Sequence, residues 1–109
     1  MNLKILWLKL KDAVLPTRAL RVLNSDEVLS CLPRRDLVLC SLHGEEWCIG
    51  MRCPCGCKQR IELPLLEEVR PRWQLNFDKR GKPTLNPSIW LREGCCSHFF
   101  VRSGKIIWV

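Results

Sequence analysis

Apolar and polar positions alternate in short runs along most of this chain of 109 residues, and turn residues separate the runs. Trp73, Leu75 and Phe77 alternate with Gln74 and Asn76, the period of a strand with one face covered. Leu37 to Leu42 and Trp47 to Arg52 flank His43-Gly44, a pattern that predicts a hairpin turning at Gly44. His98 to Arg102 and Lys105 to Val109 flank Ser103-Gly104 and predict a second hairpin. Between them, Ile61 and Leu63 share one face of Gln59 to Leu63. Asp78 to Lys82 reads as a turn, from which Pro83 to Leu85 starts a return limb.

The pattern is weaker toward the N-terminus. Leu3 to Leu10 alternates loosely, with Leu6 breaking the register, and predicts a strand that ends before Pro16. Thr17 to Leu23 carries weak helical character. Ser25 can cap a short helix over SDEVLSCL, with Asp26 and Glu27 facing the positive end of the dipole and Pro33 stopping it. The expectation is a mostly β fold, a small antiparallel sheet and hairpin domain of seven or so strands with one or two short helices. It forms a single domain over 1–109, with the β core in 36–109 and the N-terminal strand and short helix in 1–35.

Composition narrows this further. The length excludes a large cofactor-binding fold or a repeat array, and no apolar run is long enough to span a membrane. The net charge of +7 comes from basic residues scattered in runs of no more than two, the pattern of a solvated surface rather than a phosphate-binding face. Met1 to Leu15 is interrupted by Lys4, Lys9 and Lys11 and leads to no small-residue cleavage site, which points to the cytoplasm. In that compartment thiols stay reduced, so eight cysteines in a domain this small predict metal ligation rather than disulfides.

Cys53-Pro54-Cys55-Gly56-Cys57 is the strongest chemical feature. Three thiolates within one turn of chain suit a tetrahedral, structural Zn2+, and Gly56 lets the backbone bend around the ion. The fourth ligand must come from elsewhere, and Cys95, Cys96 and His98 are the candidates. Cys95 is preferred because it falls in the turn before a strand that begins at His98, completing a zinc-ribbon-like site of Cys53, Cys55, Cys57 and Cys95. Cys31, Cys40 and Cys48 lie in apolar surroundings and read as small buried residues.

His98 has three readings: a zinc ligand, a general base, or a satisfied histidine at a strand start. His43 reads as a solvated turn residue. Ser88, in Leu85-Asn86-Pro87-Ser88-Ile89, belongs to no G-x-S-x-G elbow and by itself is an ordinary turn serine.

Taken together, CPCGC, Trp73-Gln74-Leu75, Asn86-Pro87-Ser88-Ile89, Cys95 to Phe100 and Ser103 to Trp108 resemble a domain-of-unknown-function family of small bacterial and phage proteins. The resemblance spans about Asp36 to Val109, and some members are encoded beside ubiquitin-like conjugation genes. It implies a serine protease acting on a bacterial ubiquitin-like protein, in a setting of antiviral defence, with a metal-binding cysteine cluster near the active site. Carried over, it makes Ser88 the nucleophile and His98 its base, with backbone amides near the nucleophile holding the oxyanion. Glu93 is the acidic residue near His98 in sequence. The chain departs from the family pattern at Lys58, where glycine is usual, and at Cys96, which doubles the cysteine. The alternative is a zinc-ribbon module without chemistry, binding nucleic acid or a protein partner; five tryptophans among basic residues offer base stacking. Trp73 and Trp108, in alternating strands, read as core instead. His98 separates the two readings, since a metal ligand cannot also be a base.

Overall fold

A computed structural model describes residues 3–109. Met1 and Asn2, the start of the stretch weighed as a leader, lie outside the described residues. A helix α1 (Leu3–Val14) is followed by eight strands: β1 (Leu20–Asn24), β2 (Leu37–Leu42), β3 (Glu45–Arg52), β4 (Arg60–Pro64), β5 (Gln74–Phe77), β6 (Pro83–Trp90), β7 (His98–Arg102) and β8 (Lys105–Trp108). They form two four-stranded sheets in chain order, β1-β2-β3-β4 and β5-β6-β7-β8. The fold is mostly β, with one short helix.

Two tight turns set the register of the hairpins. His43 and Gly44 have φ of 52° and 81°, and Ser103 and Gly104 have φ of 49° and 76°. Two successive positive φ values are the requirement of the two-residue turn whose twist matches that of paired strands. All pairings are antiparallel except β1 with β2, which is parallel.

The two sheets share one core. Leu37, Leu39, Ile49, Met51, Ile61 and Leu63 of the first meet Leu85, Ile89, Phe99, Val101, Ile106 and Trp108 of the second, and Leu8 of α1 joins them. The opposite face of the first sheet carries a second cluster, where Val38, Cys40 and Cys48 pack with Leu32, Val28 and Trp47. The run Leu37-Val38-Leu39-Cys40 is therefore buried on both sides, which is why it is continuously apolar. Among the described residues the outer face of the second sheet has no such buried cluster, and it carries Ser88, Trp90, His98 and Phe100.

Four expectations for local structure are corrected. Leu3 to Leu10 is helical, not a strand. Leu3, Leu6, Trp7, Leu10 and Val14 recur at helical spacing, yet they are exposed, and among the described side chains of the helix Leu8 reaches the core. The helix predicted after Ser25 does not form. Ser25 Oγ accepts the Glu27 amide at 3.0 Å as a local turn, while the Trp47 indole donates to the Ser25 carbonyl at 2.8 Å and ties the segment to the first sheet. Val28 and Leu32 then lie against Gly50, where a Cβ would stand 2.9 Å from Val28 Cγ1. Thr17 to Leu23 is not helical, because its second half is β1. Asp36 accepts from the Ala19 amide and from Arg21 Nε, holding β1 beside the start of β2. In the strand predicted from Trp73, Trp73 and Leu75 pack on the core, but Phe77 is 51% exposed.

Candidate active site and metal centre

β6 and β7 do not run in simple register. Leu85 pairs with Val101 and Ile89 with Phe99, so β6 holds an irregularity over Asn86, Pro87 and Ser88. The extra residues lift Ser88 off the ladder toward the next outward position on β7, which is His98. Ser88 Oγ and His98 Nε2 are 2.9 Å apart. The Trp73 indole donates to the Ser88 carbonyl at 3.4 Å and anchors the irregular stretch from beneath.

Trp90 stands directly opposite His98 in the ladder, and its ring stacks on the imidazole with centroids 4.9 Å apart and planes 9° apart. The Arg92 guanidinium lies 3.9 Å from the Trp90 ring centre. Among the described residues no carboxylate bonds the imidazole. Glu93 is exposed, and its carbonyl accepts from the Cys96 amide at 3.5 Å. The flat face of Trp90 packs on the imidazole, a contact that limits the tilt of the ring. Sequence reasoning passed over Trp90; its signal was the two-residue spacing from Ser88, which puts both on one face.

The cysteine cluster joins the β3–β4 loop, which carries three of its members, to the segment before β7, which carries the fourth. Cys53, Cys55, Cys57 and Cys95 bring their sulfurs within 4.8 Å of one another. Cys53 is 3.4 Å from Cys55 and 3.6 Å from Cys95, and Cys57 is 3.6 Å from Cys95. A tetrahedron of thiolates around Zn2+ at about 2.3 Å has edges of roughly 3.8 Å, so the spacing fits such an ion closely. None of the cysteines is in a disulfide. Backbone amides two residues on support three of the sulfurs: Cys55 for Cys53, Gln59 for Cys57 and Ser97 for Cys95. This is the amide support usually expected of a C-x-x-C turn.

Burial raises the Cys53 and Cys57 thiols. At Cys95 burial acts in the same direction, but hydrogen bonds from the Ser97 hydroxyl and amide and from the Cys57 and Cys53 thiols outweigh it and bring the group down to about 6. Ser97 is 7% exposed, with Oγ 3.1 Å from Cys95 Sγ and 3.5 Å from Cys53 Sγ. It is the second residue missed from sequence, where it is one polar residue between two cysteines and a histidine.

His98 and Cys96, the other ligand candidates, stand apart from the cluster. His98 Nε2 faces Ser88, and Cys96 Sγ faces the carbonyls of Arg92 and Gly94. Cys40 and Cys48 are buried, whereas Cys31 is exposed with its sulfur 3.7 Å from Arg52 Nη2. His43 is an exposed turn residue. Lys58 has φ of 68°, the conformation that a glycine takes most easily after the cluster.

A family model described as bacterial ubiquitination-like system serine protease (BubE) matches residues 24–109. The chain belongs to this family. The matched span contains the Ser88–His98 pair and all four clustered cysteines, and it leaves out α1. No curated protein and no solved structure matches the chain. The family's description names a serine protease of a bacterial ubiquitination-like system, which is the setting that the sequence resemblance implied. Among the described residues no helix is long and apolar enough to cross a membrane.

Proposed function

We propose that this protein is a serine peptidase that processes or deconjugates a bacterial ubiquitin-like protein, with Ser88 as nucleophile and His98 as general base. The observation that carries the reading is the 2.9 Å contact between Ser88 Oγ and His98 Nε2 on an uncovered sheet face, in a chain of the BubE family. Nucleophile and base are already within reach for proton transfer.

In the proposed reaction Ser88 Oγ attacks the carbonyl carbon of the scissile bond while His98 Nε2 takes the hydroxyl proton. The tetrahedral adduct collapses as His98 returns that proton to the leaving amine, which leaves an ester on Ser88. Water, deprotonated by His98, then releases the carboxylate and regenerates the serine. Trp90 keeps the imidazole plane fixed through both proton transfers, and Trp73 holds the Ser88 backbone.

The cluster of Cys53, Cys55, Cys57 and Cys95 is assigned a structural Zn2+. Those cysteines would hold the ion between the β3–β4 loop and the segment before β7, and with four protein thiolates as ligands it would serve a structural role. The non-catalytic binding module finds less support. Trp73 and Trp108 pack in the core, and Arg35 and Arg60 are taken up by main-chain carbonyls, Arg35 on Pro16 and Arg60 on Leu29 and Ser30.

A fluorophosphonate probe tests the assignment without a known substrate. Mass spectrometry should locate the adduct on Ser88 in the native protein, with labelling lost in Ser88→Ala and strongly slowed in His98→Ala. Incubation with a ubiquitin-like protein carrying a C-terminal extension should release the extension. Absence of a Ser88 adduct in folded, metal-loaded protein would overturn the reading.

A further inference from the structure

A shallow groove of about 550 Å³ adjoins the Ser88–His98 pair, lined by Arg70, Arg72, Gln74, Asn86, Pro87 and Phe100. Pro87 directly precedes Ser88, and Phe100 lies two residues from His98 on the same face of β7. The groove wall thus runs into the two segments that carry Ser88 and His98.

The lining holds two guanidinium groups and no carboxylate. Arg70 Nη1 donates to the carbonyls of Glu67 and Val69, and Arg72 Nη2 donates to the Leu65 carbonyl at 3.2 Å. These bonds hold both side chains in place without neutralising them. Elsewhere Arg21 pairs with Asp36 and Arg60 with Glu62, whereas neither groove arginine has an acidic partner among the described residues. Arg72 Nε is, in addition, buried with no hydrogen-bond partner. An unmatched buried donor is costly, and no group among the described residues satisfies this one. A planar guanidinium matches a carboxylate better than any neutral acceptor.

We propose that this groove binds a carboxylate of the peptide chain being cleaved, so that substrate choice depends on an acidic group close to the bond that Ser88 attacks. The carboxylate comes from an Asp or Glu side chain or from a free chain terminus. The proposal rests on the peptidase reading above and adds a substrate class to it.

Ser88→Ala protein separates binding from cleavage. Fluorescence anisotropy would compare short fluorescein-labelled Gly/Ala peptides carrying one central Glu or Gln, each with a free or an amidated C-terminus. The proposal expects one carboxylate-bearing form to bind about 10-fold more tightly than its neutral counterpart, with the preference falling as salt is added. A Glu-over-Gln preference identifies a side chain, and a free-over-amidated preference identifies a terminus. Adding Arg70→Gln or Arg72→Gln to Ser88→Ala should remove the preference, and the peptide comparison stands even if those variants fold poorly. Equal binding of all four peptides, or binding of none, overturns the proposal. Wild-type protein that cleaves acidic and neutral peptides alike sinks the groove and leaves the peptidase standing. A carboxylate preference in Ser88→Ala with no cleavage by wild type does the reverse.

Discussion

The cysteine cluster and the Ser88–His98 pair sit on either side of the start of β7 and are built on opposite principles. The cluster draws four like groups from two distant segments, closes on itself, and joins the loop after β3 to the turn before β7. The pair is a single contact between two unlike side chains on an open face, displaced from the regular ladder by the irregular stretch of β6. One arrangement suits holding and the other suits reacting. Their adjacency matters because Ser97, which touches two cluster sulfurs, is followed immediately by His98, so the cluster bears on where His98 enters β7.

Removing the metal tests the holding side of this comparison most severely. A structural zinc contributes about 10–16 kcal/mol of apparent binding free energy, against a typical domain stability of about 5–15 kcal/mol. A strong chelator should therefore unfold purified protein, seen as loss of its far-ultraviolet circular dichroism, and elemental analysis should find about one zinc per chain beforehand. Metal-free protein that stays folded would show that the sheets need no clamp.

The reacting side predicts the converse. Ser88→Ala or His98→Ala should lower turnover by about 10³-fold or more, and the double variant should fall hardly further, because the two act as one unit. Zinc content and the thermal midpoint should match wild type. A matching drop in metal content would mean that the two regions cannot be separated.

Ser97→Ala probes the link between them. Loss of the hydroxyl from Cys95 and Cys53 should weaken metal affinity by about 10–100-fold in competition with a chelator. Turnover of the metal-loaded protein should change much less.

Trp90→Ala should give the smallest effect, about a 10-fold drop in kcat with KM little changed, since it frees the imidazole plane without touching substrate. Trp90→Phe should restore most of the rate. A change confined to KM would make Trp90 a substrate contact instead of a support for His98.

Legibility followed the range of the interactions. The hairpins at His43-Gly44 and Ser103-Gly104 could be read because their turn residues act locally. The three cysteines of CPCGC were equally plain, since their spacing already confines the sulfurs. The N-terminal third misled. Leu3 to Val14 has an apolar stripe that faces outward, and Ser25 carries a cap signal that Trp47, from another strand, turns to a different use. At Ser25 a distant partner overrode local preference, whereas at Leu3 to Val14 the helical spacing was already present and was read with the wrong period.

Composition, turn chemistry and alternation by themselves determined a mostly β chain with a thiol-rich centre, because each acts within a few residues. Only the tertiary structure decided which fourth cysteine joins the cluster, that Ser88 meets His98, that Trp90 braces the imidazole, and that Arg70 and Arg72 line one groove. Those arrangements depend on the offset between β6 and β7 and on the closing of two sheets over one core. Offsets of that kind are set by the packing of side chains far apart in the chain, and no stretch of sequence carries them alone.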